Sequence, residues 1–167
     1  MGPTVKVTLM NAVSLDGFIA RADGRTDWVV DFDLWEKEVK KVKAMIVGRR
    51  TFDELQDDGL WDDVTYFVLT GSLKEHKEPN VECCWSPEEA IEDAKEQGLD
   101  HVLLCGGAES NGEFAALGLI DDVILDVHPV LLGEGKSLLG GFAGGLRLKE
   151  SRAVKHEGFT QITATVR

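Results

Sequence analysis

Short apolar runs alternate along the chain with segments in which apolar residues recur every three or four positions. Residues 33–43 predict a helix, because Trp35, Val39 and Val42 fall on one face at i, i+4 and i+7 spacing. The shorter runs, which predict buried strands, lie at residues 6–12, 44–47, 64–69 and 102–105.

Three later helices are marked by capping signals at their starts. In such a signal a hydroxyl side chain accepts a bond from the first turn of the helix, and an acidic residue three positions on returns it. Gly98 and Gly118 follow the last two segments and predict their ends. The predicted starts are Thr51 with Glu54, Ser86 with Pro87 and Glu89, and Ser110 with Glu113.

The C-terminal part of the chain has a different pattern, with strand-like runs separated by glycine turns. These runs lie at residues 122–132 and within residues 146–166. Strand–helix alternation followed by a strand-rich end predicts an α/β fold, whose sheet is mostly parallel with an antiparallel edge. With no repeat or linker in 167 residues, we expect a single domain over residues 1–167.

Composition limits the class of protein. Hydrophobic residues make up 43% of the chain, which is typical of a globular protein, and no apolar run approaches the roughly 20 residues of a membrane span. Residues 1–9 lack the basic and long apolar regions of a signal peptide. Among three cysteines, Cys83 and Cys84 are adjacent, so we expect no disulfide framework and a cytoplasmic location.

The charge balance limits the partners. A formal net charge of −12 argues against nucleic acids and anionic membranes, because a surface that binds them must be locally basic. An anionic ligand would therefore need a local concentration of arginine, lysine or backbone N–H groups.

One segment that meets this requirement is VLLCGGAESN, residues 102–111. A buried strand runs into Gly106 and Gly107 and then into a helix start. Glycines let a backbone approach a ligand closely, and a helix N-terminus offers free N–H groups to a phosphate. An ordinary strand-to-helix turn is the alternative interpretation.

The second such segment is IVGRRTF, residues 46–52. Arg49 and Arg50 follow Gly48 at another predicted helix start, and paired guanidinium groups suit a phosphate monoester such as that on the ribose of NADPH. An isolated pair would more often be a solvated basic pair. Two phosphate-type turns in one small domain favour a nucleotide.

A third segment, residues 11–20, is a strand ending in an Asp16–Gly17 turn, which by itself indicates a structural role. Together the three segments resemble the RibD C-terminal-like, dihydrofolate reductase-like family. This resemblance covers nearly the whole chain and implies a three-layer fold with helices on both faces of the sheet. The motifs that carry it are SLDGFIA at 14–20, VGRRT at 47–51, CGGA at 105–108, GLIDD at 118–122 and HPVLLGEGK at 128–136.

The resemblance also implies an NADPH site and the residues that form it. A cis peptide bond between the paired glycines is frequent in the family. The implied contacts are Ala12 and Ile19 at the nicotinamide, Gly48, Arg49, Arg50 and Thr51 at the 2′-phosphate, Thr70 and Ser72 on the adenosine side, and Gly106, Gly107, Ala108, Glu109, Ser110 and Asn111 at the pyrophosphate.

At the substrate end, folate-reducing relatives place a carboxylate shortly after a tryptophan, at the start of the first helix. Trp28 followed by Asp31 and Asp33 resembles this arrangement, and Asp33 has the better spacing. Asp33 would hold a pyrimidine-type ring, unless it only caps the helix. Asp126 lies where relatives point a polar side chain at the substrate, and its alternative is an outward-facing strand position.

Two positions depart from the riboflavin-pathway enzymes that the family is named for. Phe18 stands where they usually carry lysine, and Cys105 stands where they often carry glutamate, which weakens the case for a phosphoribosylaminopyrimidine substrate. We interpret Cys105 as a small buried residue rather than a nucleophile.

The resulting functional hypothesis is NADPH-dependent reduction of a small pyrimidine- or pteridine-type substrate. The default substrate in this family is 5-amino-6-(5-phosphoribosylamino)uracil of riboflavin biosynthesis. Dihydrofolate reduction is one alternative, and nucleotide binding without turnover is another. Stand-alone relatives commonly pair through the strands near the C-terminus, so we also expect a homodimer.

Overall fold

A computed structural model describes residues 4–167. The helices of this part are α1 (Asp33–Val42), α2 (Arg49–Asp58), α3 (Pro87–Glu96) and α4 (Ala108–Ala116). Its strands are β1 (Lys6–Ser14), β2 (Phe18–Ala20), β3 (Ala44–Gly48), β4 (Thr65–Leu69), β5 (Val81–Cys84), β6 (His101–Leu104), β7 (Asp122–His128), β8 (Lys136–Ser137), β9 (Leu148–Lys155) and β10 (Thr160–Val166).

Eight of the strands in the described residues form one sheet in the order β5-β4-β3-β6-β1-β7-β10-β9. Every neighbouring pair from β5 to β7 is parallel, whereas β10 is antiparallel to both β7 and β9. The mostly parallel sheet with an antiparallel C-terminal edge is therefore confirmed. Strands β2 and β8 form a separate antiparallel ribbon, which the sequence pattern did not indicate.

The helices cover both faces of the sheet, as the three-layer expectation requires. Strand side chains alternate between the faces, so Ala44 and Ile46 pack on the side of α3 and α4, whereas Met45 and Val47 pack on the side of α1 and α2. All four of these side chains are fully buried. A strand covered on both faces has a continuous apolar sequence, which explains why the central strands were recognisable.

Two of the predicted helix starts are wrong. Helix α2 begins at Arg49 rather than Thr51, and α4 begins at Ala108 rather than Ser110. Their N-caps are Gly48 and Gly107, which have extended backbones, and no side chain caps either helix. Each strand passes through glycine directly into a helix, so the hydroxyl residues fall inside the first turn.

The third predicted start is confirmed. Ser86 is the N-cap of α3, and its side chain accepts a bond of 3.2 Å from the Glu89 backbone N–H. Two strand predictions differ in extent, because β7 ends at His128 and the C-terminal run divides into β9 and β10. Within residues 4–167 there is no helix long and apolar enough to cross a membrane.

Candidate functional site

A large cleft of about 1260 Å³ opens beside the sheet, and turns that follow β3, β4 and β6 contribute to its wall. These strands are parallel, so their carboxyl ends and the turns after them meet at one edge, which is the usual place for a ligand in an open α/β sheet. The loop after β8, around Gly140 and Phe142, forms part of another wall.

The paired glycines lie against the neighbouring strand ends. The Gly48 backbone N–H donates to the Gly106 carbonyl at 2.8 Å, and the Gly106–Gly107 peptide bond is cis, as the resemblance implied. Gly106 has φ of +96°, and a side chain there would meet the Asn11 amide at 3.4 Å. This position therefore favours glycine for its backbone conformation, while a Cβ there would make only an ordinary contact with Asn11.

The N-termini of α2 and α4 adjoin each other at the large cleft. A methyl group added to Gly48 would lie 2.7 Å from Ser110 Oγ, and one added to Gly107 would lie 3.6 Å from Thr51 Oγ1. Neither helix has a side-chain cap, so the backbone N–H groups of both first turns are left for a ligand. Two adjacent helix N-termini are a suitable place for phosphate groups.

Both predicted arginines line the large cleft at the start of α2. Arg49 Nε pairs with Asp53 Oδ1 at 2.9 Å, one turn further along the helix. Arg50 is exposed and has no ion pair among the described residues. Its guanidinium is therefore available to a ligand, whereas Arg49 must share its charge with Asp53.

Thr70 and Ser72 lie on the wall of the cleft beyond β4. Thr70 is buried, and its hydroxyl accepts from the Ser72 and Leu73 backbone N–H groups at 3.2 and 3.3 Å. Thr70 thus stabilises this turn, and the exposed Ser72 hydroxyl lies 3.3 Å from the Thr70 hydroxyl.

Most of the predicted cofactor residues therefore come together. Ala12 lies in the adjoining small cavity instead, whereas Gly106 and Asn111 are buried behind the wall. The Asn111 amide donates to Asn11 Oδ1 and to the Leu138 carbonyl, both at 2.9 Å, and so holds the turn in place. The predicted residues on the wall of the large cleft are Ile19, Gly48, Arg49, Arg50, Thr51, Thr70, Ser72, Gly107, Ala108, Glu109 and Ser110.

Two further residues of the large cleft were missed by the sequence interpretation. Trp85 follows β5 at the end of the sheet and is 61% exposed, although it is a large aromatic residue. Lys136 on β8 adds a third basic side chain to the wall. Neither residue was associated with the glycine turns in sequence, because β5 and the β2–β8 ribbon were not predicted.

A small cavity of about 490 Å³ adjoins the large cleft, and both have Asn11, Ile19 and Thr51 in their walls. Trp35, Trp61 and Tyr66 are among its other lining residues. These aromatic side chains suit a flat ring of the pyrimidine or pteridine type. A ring in the small cavity would meet a ligand of the large cleft at their shared wall.

Asp126 reaches the small cavity from β7, as the resemblance implied. The residue is only 7% exposed, and its Oδ1 accepts a bond of 3.0 Å from the Gln161 side chain. Burial raises the pKa of Asp126, and the Gln161 hydrogen bond opposes this shift. Asp31 lines the same cavity, and its negative charge adds to the upward shift in the pKa of Asp126.

The structure places Asp31, not Asp33, on the wall of the small cavity. Asp33 is exposed and is the first residue of α1, so it is neither a cavity residue nor the N-cap, which is Phe32. Asp31 has φ of +60° and accepts the Asp33 backbone N–H at 2.9 Å. Asp31, although exposed, is thus the carboxylate before α1 that contributes to the cavity wall.

His128, the first residue of the HPVLLGEGK motif, lies two residues after Asp126 on the same face of β7. Its ring is almost fully buried between the edge of Trp28 and the face of Phe159. Nδ1 is 2.8 Å from the Asp126 carbonyl, and Nε2 lies 3.2 Å from the Val30 backbone N–H. Nε2 also lies 3.3 Å from the Val30 carbonyl, so these contacts hold the ring in place between β7 and the loop before α1.

Cys105 lies at the junction of the cleft and the cavity. Burial raises the pKa of its thiol to about 12, so the nucleophilic thiolate is not formed at neutral pH. This agrees with the interpretation of Cys105 as a small buried residue.

Comparisons with known proteins support the resemblance to the RibD C-terminal-like family. Residues 5–160 match the model of the RibD C-terminal domain. The uncharacterized protein YwjB of Bacillus subtilis (strain 168) is 30% identical over 153 residues, which cover 86% of this chain and 88% of YwjB. The riboflavin biosynthesis protein RibD of Corynebacterium ammoniagenes is 29% identical over 160 residues, which cover 80% of this chain and 45% of RibD.

A solved structure from Shewanella sp. PV-4, described provisionally as a riboflavin biosynthesis protein, has the same fold. Its TM-score is 0.80 at 25% identity, and the match covers 98% of this chain and 99% of that one. From the family match, the relatives and the sheet order, we conclude that the chain belongs to the RibD C-terminal domain family and has its dihydrofolate reductase-like fold.

Proposed function

We propose that the protein is an NADPH-dependent reductase of a small pyrimidine- or pteridine-type ring. One observation carries the proposal: a cleft with two uncapped helix N-termini and free basic side chains adjoins an aromatic cavity that contains a buried carboxylate. The first part suits a dinucleotide, and the second suits a nitrogen heterocycle.

The residues of the large cleft fit a phosphorylated cofactor. Backbone N–H groups at the starts of α2 and α4 would donate to the pyrophosphate, and the Gly48 and Gly107 positions leave room for its close approach. Arg50, with Arg49 beside it, would hold the 2′-phosphate that distinguishes NADPH from NADH. Three basic side chains thus line this cleft in a strongly acidic protein, beside the carboxylates of Glu54, Glu109 and Glu113.

At the small cavity, NADPH would supply a hydride to a C=N or C=O carbon of the substrate. The protein's part is to hold the ring and to stabilise the proton that the ring carries. Asp126, with Asp31 nearby, would bind a ring N–H or amino group and stabilise its protonated form. The aromatic side chains of Trp35 and Trp61 would exclude water from the ring.

The first substrates to test follow from the relatives and from the fold. 5-Amino-6-(5-phosphoribosylamino)uracil comes first, because one relative is the riboflavin biosynthesis protein RibD. Dihydrofolate comes second, because Asp31 follows Trp28 at the start of α1 and lies on the cavity wall. We further propose that the enzyme acts in the cytoplasm, where its three free cysteines would stay reduced.

We also propose that the protein forms a homodimer through the antiparallel edge of the sheet. All eight residues of β9 are exposed, and they include the apolar side chains of Leu148 and Val154. An exposed edge strand with apolar side chains is a surface that usually needs a partner.

The test of the proposed activity is the oxidation of NADPH with each substrate, followed by absorbance. Wild type should oxidise NADPH with at least one pyrimidine- or pteridine-type compound, and Asp126→Asn should lower the turnover number without weakening NADPH binding. NADPH binding without oxidation by any such compound would instead favour a nucleotide-binding protein. Failure to bind NADPH would contradict the proposal.

A further inference from the structure

The small cavity carries charge of a single sign. Five carboxylates contribute to its wall, and no lysine or arginine lies among the described residues that line it. Acidic residues are common throughout this protein, but the large cleft next to the cavity contains Arg49, Arg50 and Lys136. Basic side chains are thus present at one part of the site and absent from the other. The five carboxylates belong to Asp31, Glu36, Glu54, Asp58 and Asp126.

Three basic residues, on α1 and in the loop before it, have acidic partners. Lys40, one turn after Glu36 on α1, lies 3.8 Å from the Glu36 carboxylate and over the Trp61 ring. In the loop before α1, Arg21 bonds Asp27 at 2.6 Å and Arg25 bonds Asp23 at 2.7 Å. An anionic group that entered the cavity would have to compete for these side chains.

Asp126 gives the cavity a buried acceptor. Its Oδ1 accepts from Gln161, whereas its Oδ2 has no hydrogen-bond partner among the described residues. The side chain is more than nine-tenths buried and contributes to the cavity wall. This carboxylate oxygen is stabilised by a donor, and an N–H group of a ligand in the cavity would supply one.

We infer that the substrate, on the proposed function, is an unphosphorylated basic heterocycle, which binds with an amino or protonated ring nitrogen toward Asp126 and Asp31. A phosphate would enter a space lined by five carboxylates and would find no free cation there. A flat cation or amino-substituted ring is attracted by the carboxylates and also packs against Trp35 and Trp61. The cavity would thus favour a substrate group that carries positive charge over one that carries negative charge.

A matched pair of pteridines tests whether the small cavity prefers a basic ring. Diaminopteridine carries amino groups at C2 and C4 of its pyrimidine ring, and lumazine carries oxo groups at the same two carbons. Both would be titrated by calorimetry into the free protein and into the protein saturated with NADPH. Diaminopteridine should bind more tightly than lumazine by about tenfold or more, the effect of a charge-assisted hydrogen bond.

Variants connect this preference to the cavity. Asp126→Asn should weaken diaminopteridine binding by about tenfold while lumazine changes little, because only the charged partner is lost. Asp31→Asn should act in the same direction. Glu96→Gln removes a carboxylate from the exposed end of α3 and should leave both affinities unchanged.

A second pair tests the exclusion of phosphate, namely 5-amino-6-(5-phosphoribosylamino)uracil and the same compound without its phosphate. The unphosphorylated compound should bind more tightly. Tighter binding of the phosphorylated compound, or equal binding of the two pteridines, would overturn the inference. NADPH binding is measured separately, so loss of the proposed function would appear as failure to bind NADPH whichever pteridine is preferred.

Discussion

At the scale of single residues, the site contains a carboxylate, that of Asp126, in a buried position where a charge is unfavourable. Asp126 is a carboxylate between apolar neighbours on a buried strand, with Gln161 as its hydrogen-bond donor. Burying a carboxylate costs folding free energy, and such a cost is typical of residues that bind a ligand. Its pKa, raised mainly by burial, gives a way to measure that cost.

The pH dependence of stability should report on Asp126. Because its pKa is raised in the folded state, the folded protein holds this proton more tightly than the unfolded chain does. Stability from this group is complete below the unfolded pKa of about 4, and it falls as pH rises from there through the folded pKa. Asp126→Asn cannot ionise, so its free energy of unfolding relative to wild type should increase over this range.

Urea unfolding of both proteins, from below pH 4 to neutral pH, measures the difference. Glu96→Gln is the control, and its difference from wild type should stay small, because that side chain is exposed. A difference between Asp126→Asn and wild type that stays constant with pH would contradict a raised pKa at Asp126.

The sequence singled out Asp126 and, by its spacing from Trp28, favoured Asp33, whereas the carboxylates on the cavity wall are those of Asp126 and Asp31. Asp31 has a left-handed backbone in the turn before α1. Spacing from Trp28 carries no information about that turn. The packing of His128 against Trp28 and Phe159 was not predictable, since both residues are distant from it in sequence.

At the scale of secondary-structure elements, glycine positions set how closely the site's walls approach each other. The order of strands and glycine turns was recognisable from the sequence, whereas the starts of α2 and α4 were not. Capping rules describe helices that are preceded by a loop, and here Gly48 and Gly107 connect strand to helix without one. Because no loop precedes either helix, both helix N-termini remain uncapped in the large cleft.

Helix α4 also contacts the loop around Gly140 through a glycine. A methyl group at Gly112 would overlap the Leu139 carbonyl, which is backbone and cannot rotate away. Gly112→Ala should therefore lower the free energy of unfolding by about 1–3 kcal/mol, despite the better helix propensity of alanine. It should also weaken NADPH binding, because this loop is part of the cleft wall.

The matched control is Gly141→Ala, since a methyl group at Gly141 meets nothing within 4 Å. Gly141 lies in the same loop and lines the same cleft. Chemical denaturation and NADPH titration of both variants would make the comparison. Equal stability of the two variants would show that the contact between α4 and the loop is not tight.

At the scale of the whole molecule, the fold was predictable because its central strands are continuous apolar runs and its motifs occur in the family's order. The shorter elements were not predictable. Strands β2 and β8 have three and two residues, and their pairing depends on a contact across more than a hundred positions. Pairing of that kind leaves no local pattern in the sequence.

Assembly is a prediction at this scale. Val154→Asp places a charge on the exposed β9 edge and should convert a dimer into a folded monomer, as measured by light scattering across a dilution series. Val154 is 44% exposed within one chain, so the substitution should leave the fold intact. Leu117→Asp is the control, because Leu117 is 48% exposed at the end of α4. A monomer mass for wild type at micromolar concentration would exclude the dimer.

The central claim is that this chain binds NADPH through the start of α2, and titration of NADPH and NADH measures it most directly. Wild type should prefer NADPH. Arg50→Ala should weaken NADPH binding by roughly one to two decades, the value of about 1.5–3 kcal/mol for a charge-assisted contact, and should leave NADH binding nearly unchanged. Arg49→Ala should have the smaller effect, because Asp53 already pairs with that guanidinium. Equal affinities for the two cofactors in wild type, or equal losses for both in Arg50→Ala, would contradict the account.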